Sequence, residues 1–436
     1  MSDDAGRAGR PAGARDGSDG PAVRLEVSRD RIERRLGALA RFTDPARPYT
    51  RRAFTPSYAE ARAWLADEMR SSGLAVATDA GANLIGVRAG DDPDAPAWML
   101  GSHIDTVPSG GRFDGVAGVV CALEVADALA AAGVRLRRSL CVVDFLSEEP
   151  SDYGPSCIGS RAWAGTLSEA MLASTAPSGE TLADAIARVG GDPDAIRRGP
   201  VADRDLAGFL ELHIEQGRRL EAAGSPIGLV DGIVAVHRYA WTIEGEAAHA
   251  GTTTMTERRD ALVGAAHVVA RVHERARIED ESGPFVATIG RLDVTPNGIN
   301  VVPGGVELMI ETRALNEARL ARWYAELERD VRPELERSGL GLATRTVSTA
   351  AAARSDATLL AALRSAATAA GLEPPSLVSG AGHDAMQVAQ RAPMAMVFVP
   401  SRDGVSHAPH EWTDAADLAV ATEIMARALL RLDADG

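Results

Sequence analysis

The feature that most constrains the fold of this chain is a strand–helix–strand succession of very apolar character. The stretches "AWMLGSH" and "SLCVVDFLS" predict two strands, and the segment between them, "GVAGVVCALEVADALAAAG", predicts a helix. Strands that are apolar on both faces are typical of parallel sheets covered by helices. Further strands are indicated at "NLIGV", "GFLELHIEQG" and "PMAMVFVPS". The pattern predicts an α/β fold with a mostly parallel sheet.

The pattern changes between residues 232 and 344. Strands are predicted at "VHRYAWTIEGEA", "FVATIGRLDV", "GVELMIETRAL" and "GLATRTVS", with one helix after the first strand and another after the third. The order β-α-β-β-α-β is the ferredoxin-like arrangement. We therefore expect a catalytic domain formed by residues 23–231 and 345–436, interrupted by an α+β ferredoxin-like domain at residues 232–344.

Composition excludes several classes of protein. Residues 1–22 are polar and lack the apolar segment of a signal peptide, so they predict a disordered tail. No apolar run approaches the ~20 residues that span a bilayer. The formal net charge of −15 argues against a nucleic-acid partner. Only three cysteines are present, which indicates a reducing compartment, and we expect a cytoplasmic protein without a membrane partner.

Lysine is missing from the sequence, so every basic side chain other than histidine is arginine. A chain without lysine has no Schiff-base chemistry, no pyridoxal site and no Walker A phosphate loop. Carboxylates, histidines, arginines or a metal ion must therefore carry any chemistry.

Polar residues recur where the predicted strands of the larger domain end. They are His103, Asp105, Asp114, Glu148, Glu149, His213, His407 and His410. In open α/β sheets, ligands bind beyond the carboxyl ends of the strands. A single histidine at such a position is more often structural, but a recurring set of imidazoles and carboxylates suits Zn²⁺ or a similar divalent ion.

The motifs around these residues identify a family. In chain order they are "GSHIDTVPSGGRFDG", "SEE", "ELHIEQG", "HAGTTTM", "NGINVVPG", "SGAGHDAM" and "FVPSRDGVSHAPHE". Together they closely resemble the N-carbamoyl-L-amino acid hydrolase and allantoate amidohydrolase family, within the metallopeptidase clan that includes aminoacylases and zinc carboxypeptidases. The resemblance covers about residues 31–432. It implies an amidase with two divalent metal ions per subunit, Zn²⁺ or else Mn²⁺ or Co²⁺.

The resemblance also implies which residues hold the ions. His103, Asp114 and His213 would hold one ion, and Asp114, Glu149 and His407 the other. Asp114 would therefore bridge the pair, as a carboxylate shared by two metal ions does.

Two further acidic residues receive roles from the resemblance. Asp105 would orient His103 from behind. Glu148 would be the general base that takes a proton from the attacking water and returns it to the leaving nitrogen. The peptidases of the clan usually have a carboxylate at the position of His213, so this histidine favours the carbamoylase branch.

For the small-molecule substrate, the resemblance implies contacts from Gln216, His249, Asn300, Arg313, Gly382 and His383. Asp384 would orient His383, and His410 would support the site rather than bind an ion. Arg313 would grip a substrate carboxylate with its two-donor fork, and His249 would stabilise the oxyanion of the tetrahedral intermediate. In the family this histidine acts in the active site of the partner subunit. We therefore expect a homodimer formed through the inserted domain, which would act as a lid.

The sequence departs from the family pattern in places that bear on the substrate. Residues 150–153 read Pro-Ser-Asp-Tyr where Gly and an Arg-Phe pair are usual, and Glu311 replaces a usual Asp. N-carbamoyl-L-amino acids remain the first expectation, with allantoate-like ureido acids next. The alternatives are an N-acyl-amino-acid hydrolase or dipeptidase of the same clan and a non-catalytic, metal-stabilised binding protein. The general base at Glu148 speaks against the last, because binding alone needs no base.

Overall fold

The structure, a computed structural model, describes residues 24–435. The tail predicted at residues 1–22 lies outside the described residues. The strands are β1 (Ala75–Thr78), β2 (Leu84–Arg88), β3 (Ala97–His103), β4 (Leu140–Phe145), β5 (Leu206–Ile214), β6 (Gly228–Ile233), β7 (Ala235–Glu244), β8 (Ala248–His249), β9 (Val286–Thr295), β10 (Val301–Val302), β11 (Gly305–Ala314), β12 (Gly341–Ala350), β13 (Ala353–Arg354), β14 (Ser376–Ser379) and β15 (Met394–Val399).

The helices are α1 (Arg29–Leu39), α2 (Pro56–Ser71), α3 (Val116–Ala131), α4 (Ile158–Ala164), α5 (Glu169–Leu172), α6 (Leu182–Arg188), α7 (Pro193–Arg198), α8 (Arg219–Ala223), α9 (Ala261–Asp280), α10 (Glu317–Arg337), α11 (Ala357–Ala369), α12 (Asp384–Val388) and α13 (Ala415–Asp435). Within residues 24–435, no helix combines the length and the apolar character needed to cross a membrane.

The larger sheet has nine strands, in the order β1-β2-β4-β3-β5-β15-β6-β13, and β14 pairs with β6. Its centre, from β4 to β15, is parallel. Strands β2 and β6 join this centre in the antiparallel sense. Strands β3, β4 and β15 are buried along their whole length, as their apolar sequences predict. The chain thus has a mixed α/β fold with a largely parallel central sheet.

Helix α3 is the most deeply buried helix beside the parallel strands. It packs on β3 and β5, and α1 and α13 cover it from outside. Its one buried carboxylate, Glu124, accepts hydrogen bonds from Arg31 Nε at 2.6 Å and from the Ser28 backbone N–H at 2.6 Å. A buried charge is costly unless it is paired in this way. The described N-terminal segment is therefore fixed to the centre of the fold.

A second, smaller sheet has the order β12-β7-β11-β9 and is antiparallel throughout. With α9 and α10 its chain order is β-α-β-β-α-β, and its apolar residues form a core of their own around Trp241 and Trp323. Buried and half-buried residues alternate along β11, because one face of the strand packs on the helices. The expected boundary at residue 344 lies inside β12, which continues to Ala350.

Candidate metal centre

The polar residues that follow the parallel strands meet at one edge of the larger sheet. His103 ends β3, His213 lies one residue before the end of β5, and Glu148 and Glu149 follow β4 closely. Strands β4, β3, β5 and β15 are neighbours in that order, so their carboxyl ends lie side by side. The loop before α3 carries Asp114 and the loop after β15 carries His407.

These residues form two groups that share one carboxylate. The first group is His103, Asp114 and His213, the second is Asp114, Glu149 and His407, and in each group the donor atoms lie within 4.8 Å of one another. Asp114 Oδ1 is 3.1 Å from His213 Nε2, and Asp114 Oδ2 is 2.8 Å from His407 Nε2. The arrangement matches the chemistry of a pair of divalent cations with a bridging carboxylate.

The two buried imidazoles are oriented from behind by backbone carbonyls. His103 Nδ1 lies 3.1 Å from the Asp105 carbonyl oxygen, and His213 Nδ1 lies 2.9 Å from the Ile214 carbonyl oxygen. These contacts require Nδ1 to carry the hydrogen. Nε2 of each ring is therefore the nitrogen turned toward the neighbouring carboxylates, the position from which a ligand histidine binds an ion.

Asp105 does more than the sequence predicts. Its carboxylate lies 3.3 Å from His103 Nδ1, where it was expected. It also accepts hydrogen bonds from the backbone N–H groups of Glu148 and Glu149, each at 3.1 Å. One buried carboxylate thus fixes both the histidine and the paired glutamates.

Electrostatics favour positive charge at the centre of the cluster. Burial lowers the pKa of His103, but the hydrogen bond to Asp105 and the neighbouring carboxylates raise it well above its ordinary value. Hydrogen bonds to Asp114 and Glu149 raise the pKa of His407 to about 10. A site where carboxylates draw positive charge onto imidazoles has the electrostatics that a bound cation needs.

Glu148 belongs to neither donor group. Its Oε2 lies 3.7 Å from His103 Nε2, and burial together with the charge of Glu149 raises the pKa of its carboxyl group well above the usual value. A carboxylate that faces the ligands without joining them, and that holds a proton more readily than usual, is suited to accept one.

Two glycines let the loop before α3 approach the cluster. Gly115 has φ = 65°, and a Cβ at this position would lie 2.3 Å from His103 Nε2. Gly111 has φ = 103°, and its Cβ would lie 2.4 Å from Glu411 Oε1. No other residue type fits either position without displacing a side chain of the site.

Glu411 is the clearest residue that sequence reasoning missed. It is buried, and its Oε1 accepts hydrogen bonds from the backbone N–H groups of Phe113 at 2.8 Å and Asp114 at 3.1 Å. The motif "SHAPHE" drew attention to His410 as a supporting residue, but that histidine is exposed. The signal available in the sequence was a carboxylate at the end of a motif that already carries His407.

A second missed carboxylate is Glu211, which is buried on β5 and accepts from Ser102 Oγ at 2.7 Å. Its donor atoms cluster with those of His213 and His383. Asp384 was expected to orient His383. Instead its carboxylate accepts from Ser160 Oγ at 2.5 Å, and the His383 ring contacts Ser379 Oγ at 2.8 Å.

The cluster opens into a cleft of about 330 Å³. The expected residues that line the cleft are Asp114, Glu148, Glu149, His213, Gln216, Arg313, Gly382, His383 and His407. The cleft therefore unites ligand candidates from the larger sheet with Arg313 from the smaller one. A cavity of this size suits a small molecule.

Two residues at the cleft that are expected to bind substrate already have hydrogen-bond partners within the protein. Gln216 Nε2 lies 3.3 Å from Asp114 Oδ2 and 3.0 Å from Ser406 Oγ. The Arg313 fork binds Glu311 Oε1 through Nε at 2.9 Å and Nη2 at 2.7 Å, while Nη1 donates to the Gly380 carbonyl. Glu311, one of the departures from the family pattern, thus fixes the orientation of the arginine.

His249 and Asn300 are not at the cleft. Both are exposed, and they lie together where β8 pairs with β10. The backbone N–H of Ala250 donates to the Asn300 carbonyl at 3.0 Å, and His249 Nδ1 accepts from the N–H groups of Gly251 and Thr252. The described chain brings these two residues together with each other but not with the metal-ligand candidates.

Residues 150–153, which depart from the family pattern, find partners among nearby residues. Pro150 lines the cleft, and Asp152 pairs with Arg52 Nη1 at 2.5 Å. The Tyr153 hydroxyl donates to Glu180 at 2.5 Å, and its ring packs edge-on against Phe54. The acidic residue that replaces a usual arginine therefore has a basic partner of its own.

Comparison with known proteins gives a consistent result. Residues 99–431 match the model of peptidase family M20/M25/M40. An N-carbamoyl-L-amino acid amidohydrolase of Geobacillus stearothermophilus is 38% identical over 92% of this chain and 97% of its own. An allantoate amidohydrolase of Escherichia coli strain K12 is 33% identical over 93% of this chain and 98% of its own.

A solved structure agrees with these matches. It is the crystal structure of an amidase of the hydantoinase/carbamoylase family from Burkholderia multivorans. It superposes with a TM-score of 0.86 at 33% identity, covering 94% of this chain and 99% of that one. These comparisons confirm the resemblance that the seven sequence motifs indicate.

Proposed function

This chain belongs to peptidase family M20/M25/M40, a metal-dependent family of hydrolases, and we propose that it hydrolyses the linear C–N bond of an N-carbamoyl-L-amino acid. The observation that carries the proposal is the pair of donor groups that share Asp114, with Glu148 beside them in the same cleft. Metal ligands alone would suit a binding site. A carboxylate beside them adds a group that can accept the proton of an attacking water, and hydrolysis needs such a group.

We propose that the two groups hold two divalent ions, Zn²⁺ or else Mn²⁺ or Co²⁺. The donor set fits, because imidazole and carboxylate are the ligands that such ions prefer. When bound, divalent ions lower the pKa of water and polarise a carbonyl group. His103 and His213 would serve one ion, Glu149 and His407 the other, and Asp114 both.

The part of Glu148 is proton transfer. It would accept a proton from the water that attacks the carbamoyl carbon, and return it to the nitrogen as the C–N bond breaks. The products are the free amino acid and carbamic acid, which decomposes to ammonia and carbon dioxide. Asp105 supports this step, because it holds the backbone on both sides of the Glu148–Glu149 peptide bond.

Arg313 is the proposed partner of the substrate carboxylate. It is the arginine that lines the cleft, and Glu311 holds its guanidinium in place. Gln216, Gly382 and His383 lie around the same space and would contact the ureido group or the side chain. The substrate would thus extend from the metal ligands to the smaller sheet.

A homodimer would account for the positions of His249 and Asn300. Among residues 24–435, the large apolar side chains that are exposed are Met255, Leu262, Val263, Val269, Ile278, Val286, Leu292, Ile299 and Val347. All belong to the smaller sheet, its helices or its loops. Apolar side chains gathered in this way mark an interface. We propose that this region dimerises and acts as a lid that brings His249 and Asn300 to the partner's cleft.

The cysteines support a proposal for the cellular location. Cys121, Cys141 and Cys157 are all unpaired and buried. Unpaired thiols are typical of a reducing compartment, so we propose a cytoplasmic enzyme.

A substrate panel tests the function. The purified protein is loaded with Mn²⁺, Zn²⁺ or Co²⁺ and given N-carbamoyl-L-amino acids, allantoate, N-acetyl-amino acids and dipeptides. Turnover is followed as ammonia release from the carbamoyl and ureido substrates and as release of free amino acid from N-acetyl-amino acids and dipeptides. We expect it to be fastest with N-carbamoyl-L-amino acids, and a Glu148→Gln preparation controls for contaminating enzymes. Faster cleavage of allantoate, or of N-acetyl-amino acids or dipeptides, would instead assign the corresponding alternative activity. Tight metal binding without turnover of any substrate would make the chain a binding protein.

A further inference from the structure

Cys157 lies beside the proposed general base and belongs to no part of the mechanism above. It precedes α4, its side chain is buried with 5% exposure, and it lines the same cleft as Glu148. Its Sγ is 3.5 Å from Glu148 Oε1. Because sulfur forms longer hydrogen bonds than nitrogen or oxygen, this distance fits a hydrogen bond from the thiol to the carboxylate.

The backbone reinforces this contact. The Cys157 N–H donates to the Glu148 carbonyl at 2.8 Å, and the Ile158 N–H donates to the Ser147 carbonyl at 2.9 Å. The segment that enters α4 is therefore tied to the segment that leaves β4. Cys157 holds Glu148 by its main chain and by its side chain at once.

The conformation of Cys157 indicates that the side chain matters. Its backbone is left-handed, with φ = 55° and ψ = 41°. Glycine adopts this conformation without the steric cost that a Cβ imposes. A cysteine in such a position carries a steric cost that glycine would avoid, and Glu148 Oε1 lies within reach of its side chain.

We propose that Cys157 is a positioning residue for Glu148, in which the thiol donates to Oε1 and directs Oε2 toward the metal-ligand candidates. The inference rests on the proposed role of Glu148 as general base. In agreement with it, Oε2 is the oxygen that faces His103 Nε2, at 3.7 Å. A thiol is a weak donor, so it can orient a carboxylate while leaving it able to accept a proton.

The thiol keeps its proton in this environment. Burial, together with the carboxylates of Glu148 and Asp384, raises the pKa of Cys157 well above its ordinary value. Because the thiolate is the nucleophilic form of cysteine, a thiol that stays protonated is a donor rather than a nucleophile.

Kinetics of three variants test the proposal. Cys157→Ala should lower kcat about two- to tenfold, the effect of losing one weak hydrogen bond, while KM and metal content stay at wild-type values. Cys157→Ser keeps a donor and should recover most of that loss. Cys141→Ala is the matched control, because Cys141 is equally buried but lies within β4. Wild-type kcat in Cys157→Ala, or an equal loss in the alanine and serine variants, would overturn the positioning role.

A spectroscopic test does not depend on turnover. The infrared S–H stretch of Cys157 is obtained by subtracting the spectrum of Cys157→Ala from that of the wild type. The same subtraction is then made between two proteins that both carry Glu148→Gln and differ only in Cys157→Ala. We expect the band to shift when the carboxylate becomes an amide, in metal-free and metal-loaded protein alike. An unchanged band would show that the thiol does not contact Glu148. If the band shifts but the protein hydrolyses no substrate, the contact stands while the proposed function fails, so the two failures are distinguishable.

Discussion

Most of the polar residues at the edge of the larger sheet are buried, whereas those at the β8–β10 pair are exposed. At the sheet edge, His103, Asp114 and His213 are buried, and each has partners from several parts of the chain. At the β8–β10 pair, His249 and Asn300 are exposed. The first region brings both donor groups together within one subunit. The second is a pair of exposed groups that the described chain leaves away from the cleft, as the proposed dimer requires.

The apolar side chains show the same contrast. Ile299, next to Asn300, is 104% exposed, and Met255, near His249, is 77% exposed. Exposed apolar side chains that lie together mark surfaces that another molecule covers. In the proposed dimer, catalysis would need two contributions, one fixed within the subunit and one supplied across the interface. Each variant below changes a residue of one region, and the measurement shows which part of metal binding or turnover remains.

The largest effect is expected from Asp114→Ala, which removes the carboxylate shared by both donor groups. Both ions should be lost or held weakly, and turnover should fall to the level of the metal-free protein. His213→Ala, the matched variant, should weaken mainly one ion. Metal analysis after gel filtration checks both. Two tightly held ions in the Asp114 variant would contradict the bridge.

Glu148→Gln should come next, with kcat reduced about 10²- to 10⁴-fold, since the amide cannot accept the proton of the attacking water. Metal content should remain that of the wild type, because Glu148 belongs to neither donor group. Metal analysis and kcat are measured on the same preparation. A near-normal kcat would remove Glu148 from the mechanism.

His249→Ala tests the second region. If His249 stabilises the oxyanion, kcat should fall about 10²- to 10³-fold with little change in KM. Mixing His249→Ala subunits with Glu148→Gln subunits should restore part of the activity, because one site of each mixed dimer then contains both intact groups. No recovery, with subunit exchange demonstrated, would mean that His249 does not act across the interface.

The smallest effect of these four variants is expected from Arg313→Lys, which keeps the charge but loses the planar fork. A charge-assisted hydrogen bond contributes about 1.5–3 kcal/mol, so kcat/KM should fall about 10- to 150-fold. Substrates whose carboxylate is converted to an amide should be poor for the wild type and little affected by the change. Equal losses for both kinds of substrate would show that Arg313 does not bind the carboxylate.

The sequence predicts the parallel sheet and the residues at its edge because these follow from local rules. Apolar runs mark β3, β4 and β15, and strands that run parallel bring their terminal residues together whatever the loops between them do. His103, His213 and Glu149 could thus be placed near one another from the chain alone.

Other parts of the site depend on contacts that no local pattern encodes. Glu411 binds backbone N–H groups rather than a motif partner, and Asp105 acts on two glutamates far along the chain. Asp384 was expected to orient His383, yet it pairs with Ser160 because α4 packs beside α12. Backbone recognition and helix packing are set by the tertiary fold, so spacing in the sequence does not reveal them.

The hydrogen bond between Glu411 and the Asp114 backbone joins residues 297 positions apart in the chain. The carboxylate shared by both donor groups is thus held by a segment that is synthesised much later than its own, and His407 arrives with that segment. A nascent chain that ends before this segment contains His103, Asp114, Glu149 and His213, yet it lacks a ligand of the second group and the support of the shared one. The proposed two-ion centre is therefore complete only after residues 407–411 have been synthesised and have folded back onto the loop before α3.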